Sequence, residues 1–80
     1  TLTNLIAARI NQLRKSRKLS VNKVATMSGL PYSTVNSLLR GKSDSPNLKT
    51  LIRIATAFNM TIVEFLNVPE IIEFSEDDSQ

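Results

Sequence analysis

Apolar residues recur every three or four positions along most of the chain, the spacing that aligns one face of an α-helix. The first predicted helix carries apolar side chains at Leu2, Leu5, Ile6, Ile10 and Leu13, and it runs out in a basic stretch at residues 14–18. Basic residues suit a helix C-terminus, because cations there meet the negative end of the helix dipole.

Capping residues and glycines predict two short helices in the middle of the chain. Ser20 precedes a helix over residues 21–28 that ends at Gly29, since glycine readily takes the positive φ common at helix ends. Pro31 fits the first position of a third helix that runs to Leu39 and stops at Gly41. A turn of only a few residues therefore separates these two helices.

Two further helices follow a polar loop over residues 42–46. Asn47 caps the fourth helix, the most hydrophobic one, which carries Leu48, Leu51, Ile52, Ile54, Ala55 and Phe58. Thr61 and Glu64 form a capping box that opens a fifth helix, which Val68 and Pro69 end. Five short helices without a strand predict a compact all-α domain over residues 1–67.

Residues 68–80 form a separate acidic tail in this interpretation. Its last residues are too polar to fold alone, so we expect the tail to be partly disordered. Three large apolar residues precede them, at Ile71, Ile72 and Phe74. They either pack back on the fifth helix or contact another subunit or partner protein.

The charge is unevenly divided between these two parts. The chain has ten Lys and Arg residues and seven acids, for a net charge of +3. All ten cations lie in residues 1–67 with only Asp44 and Glu64, so that segment carries +8 and the tail −5. A basic domain attracts polyanions, and nucleic acid is the first partner to consider; a merely solvated basic face is the alternative.

Several functions are excluded by residue type. The chain has no Cys and no His, which excludes disulfides, thiolate and imidazole metal sites, and nucleophiles of the Cys or His kind. The predicted domain has no paired carboxylates, so we expect neither enzymatic activity nor a metal or other cofactor. With no apolar run of membrane length and no signal peptide, we expect a soluble cytoplasmic protein without a membrane partner.

The predicted helices over residues 21–28 and 31–39 have the spacing of a helix-turn-helix unit, although any small helical bundle can show this. The exposed side of the second carries no acid and consists of Tyr32, Ser33, Asn36, Ser37 and Arg40. Asn can bond adenine bidentately, Ser adapts to several base edges, and Arg can bind guanine or a phosphate. This surface predicts sequence-specific binding of double-stranded DNA through the major groove.

The same segments resemble the Cro/CI (Xre) family of phage and bacterial repressors over residues 3–67. The resemblance is carried by Leu19-Ser20, Val24-Ala25, Gly29-Leu30, Ser33-Thr34-Val35, Arg40-Gly41-Lys42, Pro46, Leu48-Lys49-Thr50-Leu51 and Ala55. It implies a five-helix, lambda-repressor-like domain that binds palindromic operators as a homodimer, and hence a transcriptional regulator, in particular a repressor.

The resemblance also implies contact residues. Base contacts are expected from the early part of the third helix, at Tyr32, Ser33, Thr34, Asn36 and Ser37. Phosphate contacts are expected from the start of the second helix and the loop after the third, at Ser20, Asn22, Arg40, Lys42 and Ser43. Two alternatives stay open, since Tyr32 could pack beneath the turn and Thr34 could contact a phosphate.

The chain departs from the family pattern at two positions. Val21 stands where many members have a Gln that bonds a phosphate, so one expected contact is missing. Leu39 stands where a Glu often pairs with the basic residue at Arg14. We expect Leu39 to pack between the first and third helices, leaving Arg14 free to face DNA or solvent.

A second function class stays open at this stage. The chain could be an antitoxin or another protein-interaction module whose tail binds a partner protein. Candidate contact residues, for a homodimer or for such a partner, are Phe65, Ile71, Ile72 and Phe74.

Overall fold

The computed structural model describes residues 1–42 and 46–75. In these ranges the chain is all-helical, as predicted, with α1 (Leu2–Ser16), α2 (Val21–Ser28), α3 (Tyr32–Leu39), α4 (Leu48–Ala57), α5 (Ile62–Leu66) and α6 (Pro69–Ile72). None of these helices is both long and apolar enough to cross a bilayer. The predicted disorder concerns mainly residues 76–80, which lie outside the described ranges.

Side-chain caps begin α2, α4 and α5 where the sequence predicts them. Ser20 Oγ accepts from the Lys23 N–H at 3.0 Å, and Asn47 Oδ1 accepts from the Thr50 N–H at 2.8 Å. The Thr61 and Glu64 side chains each accept from the backbone N–H of the other residue, which completes the predicted capping box. Each cap satisfies donors that the first helical turn would otherwise leave unpaired.

The first four helices end with the same pair of backbone hydrogen bonds. At the end of α2, the Gly29 N–H donates to Thr26 O at 3.2 Å and the Leu30 N–H to Ala25 O at 3.0 Å. The equivalent bonds close α1, α3 and α4 around Lys18, Gly41 and Asn59. All four central residues have φ between 57° and 69°, the left-handed conformation of a Schellman motif.

The first helix ends at Ser16, inside the basic stretch where the sequence predicts its end. One helix start and the number of helices differ from the prediction. Pro31 is the N-cap of α3 and not its first helical residue. The fifth helix ends before Val68 and Pro69 as predicted, but the described residues contain six helices rather than five. Pro69 is the first residue of the additional helix α6, where its missing N–H costs no hydrogen bond.

The core lies where α1 to α5 meet. Its fully or almost fully buried apolar side chains are Ile6, Ala7, Ile10, Val24, Ala25, Val35, Leu38, Leu51, Ile54, Ala55, Phe58 and Phe65. Helix α2 packs on α3 and α4, while α1 packs on α3, α5 and α6. Burial of these residues supplies most of the stabilisation of so small a domain.

The tail residues up to Phe74 pack mainly on α1 rather than on the fifth helix alone. Helix α6 contacts α1, and Ile71 packs against the core. Phe65 is fully buried, so it is a core residue and cannot contact another subunit. Ile72 is 63% exposed, which leaves it available to a second molecule.

Gly41 allows the end of α3 to approach the start of α1, and Gly41→Ala should destabilise the fold by about 1–2 kcal/mol. Its φ is +69°, and an added Cβ would lie 2.8 Å from Asn4 Oδ1. Urea denaturation measures the cost. The Asn4→Ala, Gly41→Ala double variant removes the close contact with Asn4, but it should still lose the stability that an alanine at positive φ costs. If both variants were as stable as the wild type, position 41 would need neither positive φ nor the close approach.

Candidate nucleic-acid interface

A turn of three residues, Gly29 to Pro31, connects α2 to α3. Gly29 takes φ 68° and ψ 29°, which reverses the chain direction directly after α2. Leu30 packs against the core, so the turn is tied to the domain by an apolar side chain. The two helices are thereby held in the arrangement expected for a helix-turn-helix unit.

Helix α3 separates its buried and open sides as predicted. Val35 and Leu38 are 0% and 2% exposed. Of the predicted base-contact residues, Tyr32, Ser33, Thr34 and Ser37 are exposed and Asn36 is half-buried. The structure therefore brings all five together on one short helix, with the small polar side chains accessible to a ligand.

Tyr32 is 50% exposed. Half of its side chain is covered by the protein, and the other half is accessible at the beginning of α3. Packing and DNA contact are thus compatible for this residue, because the apolar body of a tyrosine can pack while its hydroxyl bonds outside.

The predicted phosphate contacts lie at both ends of the unit. Ser20 is the N-cap of α2 and Asn22 is exposed in its first turn. Arg40 and Lys42 are exposed after α3, and Ser43 lies outside the described residues. Val21 packs against the core, so the first turn of α2 can offer the Asn22 side chain and backbone N–H groups to an anion.

Leu39 packs against the core as predicted, but the prediction that Arg14 is free is wrong. The Arg14 guanidinium donates to Asn11 Oδ1 at 3.2 and 2.9 Å through Nε and Nη2, and to Leu19 O at 3.1 Å through Nη1. Neutral acceptors have therefore taken the place of the carboxylate expected from the family pattern.

Most other arginines also donate to backbone carbonyls, a role that is not predicted from the sequence. Arg9 donates to Phe65 O at 2.7 Å and Glu64 O at 3.0 Å, and Arg53 donates to Gly29 O at 3.4 Å. Arg17 donates to Phe58 O and lies over the ring of Phe58 at 5.4 Å. Basic charge alone does not reveal this role, although Arg in place of Lys is a signal, since its planar fork can serve several acceptors.

Four of the five arginines are thus engaged with the fold, and Arg40 is the exception among the described residues. The five lysines, by contrast, are exposed at the surface: Lys15, Lys18, Lys23, Lys42 and Lys49. Four of the ten cations in residues 1–67 therefore hold parts of the fold together. Arg40 and the five exposed lysines are the better candidates for binding phosphates.

A short turn between two helices, with an acid-free polar surface on the second, is typical of a helix-turn-helix DNA-binding domain. The chain belongs to the helix-turn-helix family HTH_3, whose family model matches residues 10–65.

Similar proteins agree with this assignment. The chain is 31% identical over 51 residues to the uncharacterized HTH-type transcriptional regulator RghRB of Bacillus subtilis, covering 64% of this chain and 37% of that protein. Two solved structures share the fold. One is prophage Lp1 protein 11, with a TM-score of 0.82, 27% identity and coverage of 92% of this chain and 97% of that one. The other is an HTH_3 family transcriptional regulator from Vibrio cholerae, with a TM-score of 0.78, 32% identity and coverage of 96% and 44%.

The chain spans about a third of the length of the curated relatives that it matches. The matched part contains the helix-turn-helix unit, which is the DNA-binding part of this class of transcriptional regulator.

Proposed function

We propose that this domain represses transcription by binding a two-fold symmetric operator as a homodimer, with α3 in the major groove. The observation that carries the proposal is the open side of α3, where small polar side chains without an acid lie next to Arg40 and Lys42. Such side chains can bond base edges, and the neighbouring cations can bond the flanking phosphates.

Selection of bound sequences from a random duplex pool tests this proposal directly. We expect enrichment of two related half-sites in inverted orientation, with centres about 34 Å apart on one side of the DNA. A reporter with the selected site overlapping its promoter should then lose expression when the protein is present. Absence of any enriched sequence would refute sequence-specific binding, and increased reporter expression would refute repression.

The phosphate assignment predicts a change in salt dependence. Arg40→Gln and Lys42→Gln should each lower the affinity for all DNA sequences to a similar degree and reduce the slope of log K against log salt by about one. Lys15→Gln is the matched control, because Lys15 is an exposed lysine in the last turn of α1 and is not among the predicted contact residues. Equal slopes for all three variants and the wild type would contradict these contacts.

Homodimer formation is proposed through α5 and α6. Val63 and Ile72 are 74% and 63% exposed, the largest exposed fractions among the large apolar residues described. Both belong to helices on the side of the molecule where α1, α5 and α6 pack together. Burying two such side chains against their copies would remove apolar surface from water.

Sedimentation tests this surface. The Val63→Asp, Ile72→Asp variant should be monomeric and should bind the full operator more weakly while keeping its affinity for an isolated half-site. The control is Leu48→Asp, Ile52→Asp, which changes the exposed apolar pair on α4 and should stay dimeric. A dimeric Val63→Asp, Ile72→Asp variant together with a monomeric Leu48→Asp, Ile52→Asp variant would place the interface on α4. A wild type that is monomeric and binds another protein would favour the antitoxin interpretation.

A further inference from the structure

Helix α2 is held at its beginning by Arg14 of α1. The Leu19 N–H donates to Arg14 O at 2.9 Å, and Arg14 Nη1 donates back to Leu19 O at 3.1 Å. The same guanidinium also donates to Asn11 Oδ1 through Nε and Nη2. Because Leu19 directly precedes the N-cap Ser20, this closed arrangement fixes where α2 starts relative to α1.

The other end of α2 is held by Arg53 of α4. Arg53 Nη1 donates to Gly29 O at 3.4 Å, a long hydrogen bond. The same nitrogen would lie 3.8 Å from a Cβ placed on Gly29, so the guanidinium covers the turn that leads into α3. Arg14 and Arg53 therefore come from the two helices that flank the helix-turn-helix unit, and each bonds a carbonyl at one end of α2.

We propose that Arg14 and Arg53 are positioning residues for DNA recognition, which set the orientation of α2 and hence the angle at which α3 meets the groove. This inference rests on the proposed function, in which α3 reads the bases. Helix α2 packs on both α3 and α4, so a rotation of α2 displaces α3. A base contact depends on hydrogen-bond distance and angle, whereas a flexible lysine can follow a phosphate that has moved.

The test compares Arg14→Met and Arg53→Met with Arg9→Met. Methionine keeps an apolar stem and removes the donors. Arg9 is the matched control, because it donates to the carbonyls of Phe65 and Glu64 at the end of α5, away from the helix-turn-helix unit. For each protein we would measure the affinity for an isolated half-site of the selected sequence and for a scrambled duplex of equal length, the salt slope, and stability in urea. The half-site excludes the proposed dimer surface on α5 and α6, which lies close to the partners of Arg9.

We expect Arg14→Met and Arg53→Met each to lower the ratio of specific to non-specific affinity by about tenfold, the contribution of one base contact, with an unchanged salt slope. Arg9→Met should lose stability and keep the ratio. Arg14→Lys should restore only part of the ratio, because an ammonium group cannot serve both Asn11 and Leu19 in the same geometry.

Three results would overturn the inference. An unchanged ratio in both variants would make the two arginines purely structural. A salt slope reduced by about one with a uniform loss of affinity would make them phosphate contacts instead. An equal loss of the ratio in Arg9→Met would show that general destabilisation is the cause.

Failure of the proposed function would give a different result. In that case the wild type itself would show no preference for any DNA sequence, whatever the arginine variants do. If Arg14→Met does not fold, the test still stands on Arg14→Lys and Arg53→Met, each of which should lower the ratio of specific to non-specific affinity.

Discussion

Replacing Ser33 and Asn36 together with alanine should abolish most of the sequence preference of the domain. Each lost base contact costs about 1–3 kcal/mol, and 1.4 kcal/mol corresponds to a tenfold change in affinity. The loss of two contacts should therefore weaken binding to the preferred site by about thirtyfold or more. The physical reason is that base acceptors and donors buried beneath α3 would lose both water and their protein partners.

The measurement is the affinity for the preferred site and for a scrambled duplex at one salt concentration. Binding to the scrambled duplex should hardly change, because phosphate contacts supply non-specific affinity. Thr56→Ala is the matched control, an exposed polar residue on α4, and should leave both affinities unaltered. If the double variant kept its preference for the selected site, α3 would not be the reading helix.

Replacing Phe58 with alanine should remove a large part of the stability of the domain. Phe58 is fully buried, and removal of such a ring costs about 3–5 kcal/mol. The total stability of an 80-residue domain is about 4–12 kcal/mol, so the loss is a large part of it. The ring also carries the guanidinium of Arg17 at 5.4 Å, and this cation–π contact disappears with it.

Urea denaturation followed by circular dichroism measures this effect, with a lower midpoint expected for Phe58→Ala. Leu48→Ala also removes an apolar side chain, but Leu48 is 60% exposed and lies outside the proposed dimer surface, so the stability of this variant should stay within about 0.5 kcal/mol of the wild type. A midpoint for Phe58→Ala close to that of the control would mean that the packing around α4 differs from the structure described above.

The helices could be predicted where local chemistry decides them. Three helix starts are indicated in the sequence by capping residues, and each of these forms its predicted cap: Ser20, Asn47 and the Thr61–Glu64 pair. The basic stretch at residues 14–18 likewise indicates the end of α1. The positive φ of Lys18 could not be predicted, because nothing in a lysine side chain signals this conformation.

The candidate site shows the same division. The open side of α3 follows from helical periodicity, which places Val35 and Leu38 in the core and leaves the polar residues outside. The partners of Arg9, Arg14, Arg17 and Arg53 could not be predicted, because a long side chain can reach a carbonyl far away in sequence. Arg9 and Phe65, for example, are 56 positions apart.

The Schellman motifs that end α1 to α4 have a consequence for the speed of folding. Their hydrogen bonds join residues at most five positions apart, so each corner can form before the core assembles, and helical domains with such local contacts fold in about microseconds to milliseconds. The bonds of Arg9 and Arg17, which join residues 41 to 56 positions apart, close only when distant helices have docked. Loss of these arginines should therefore accelerate unfolding and leave the folding rate almost unchanged.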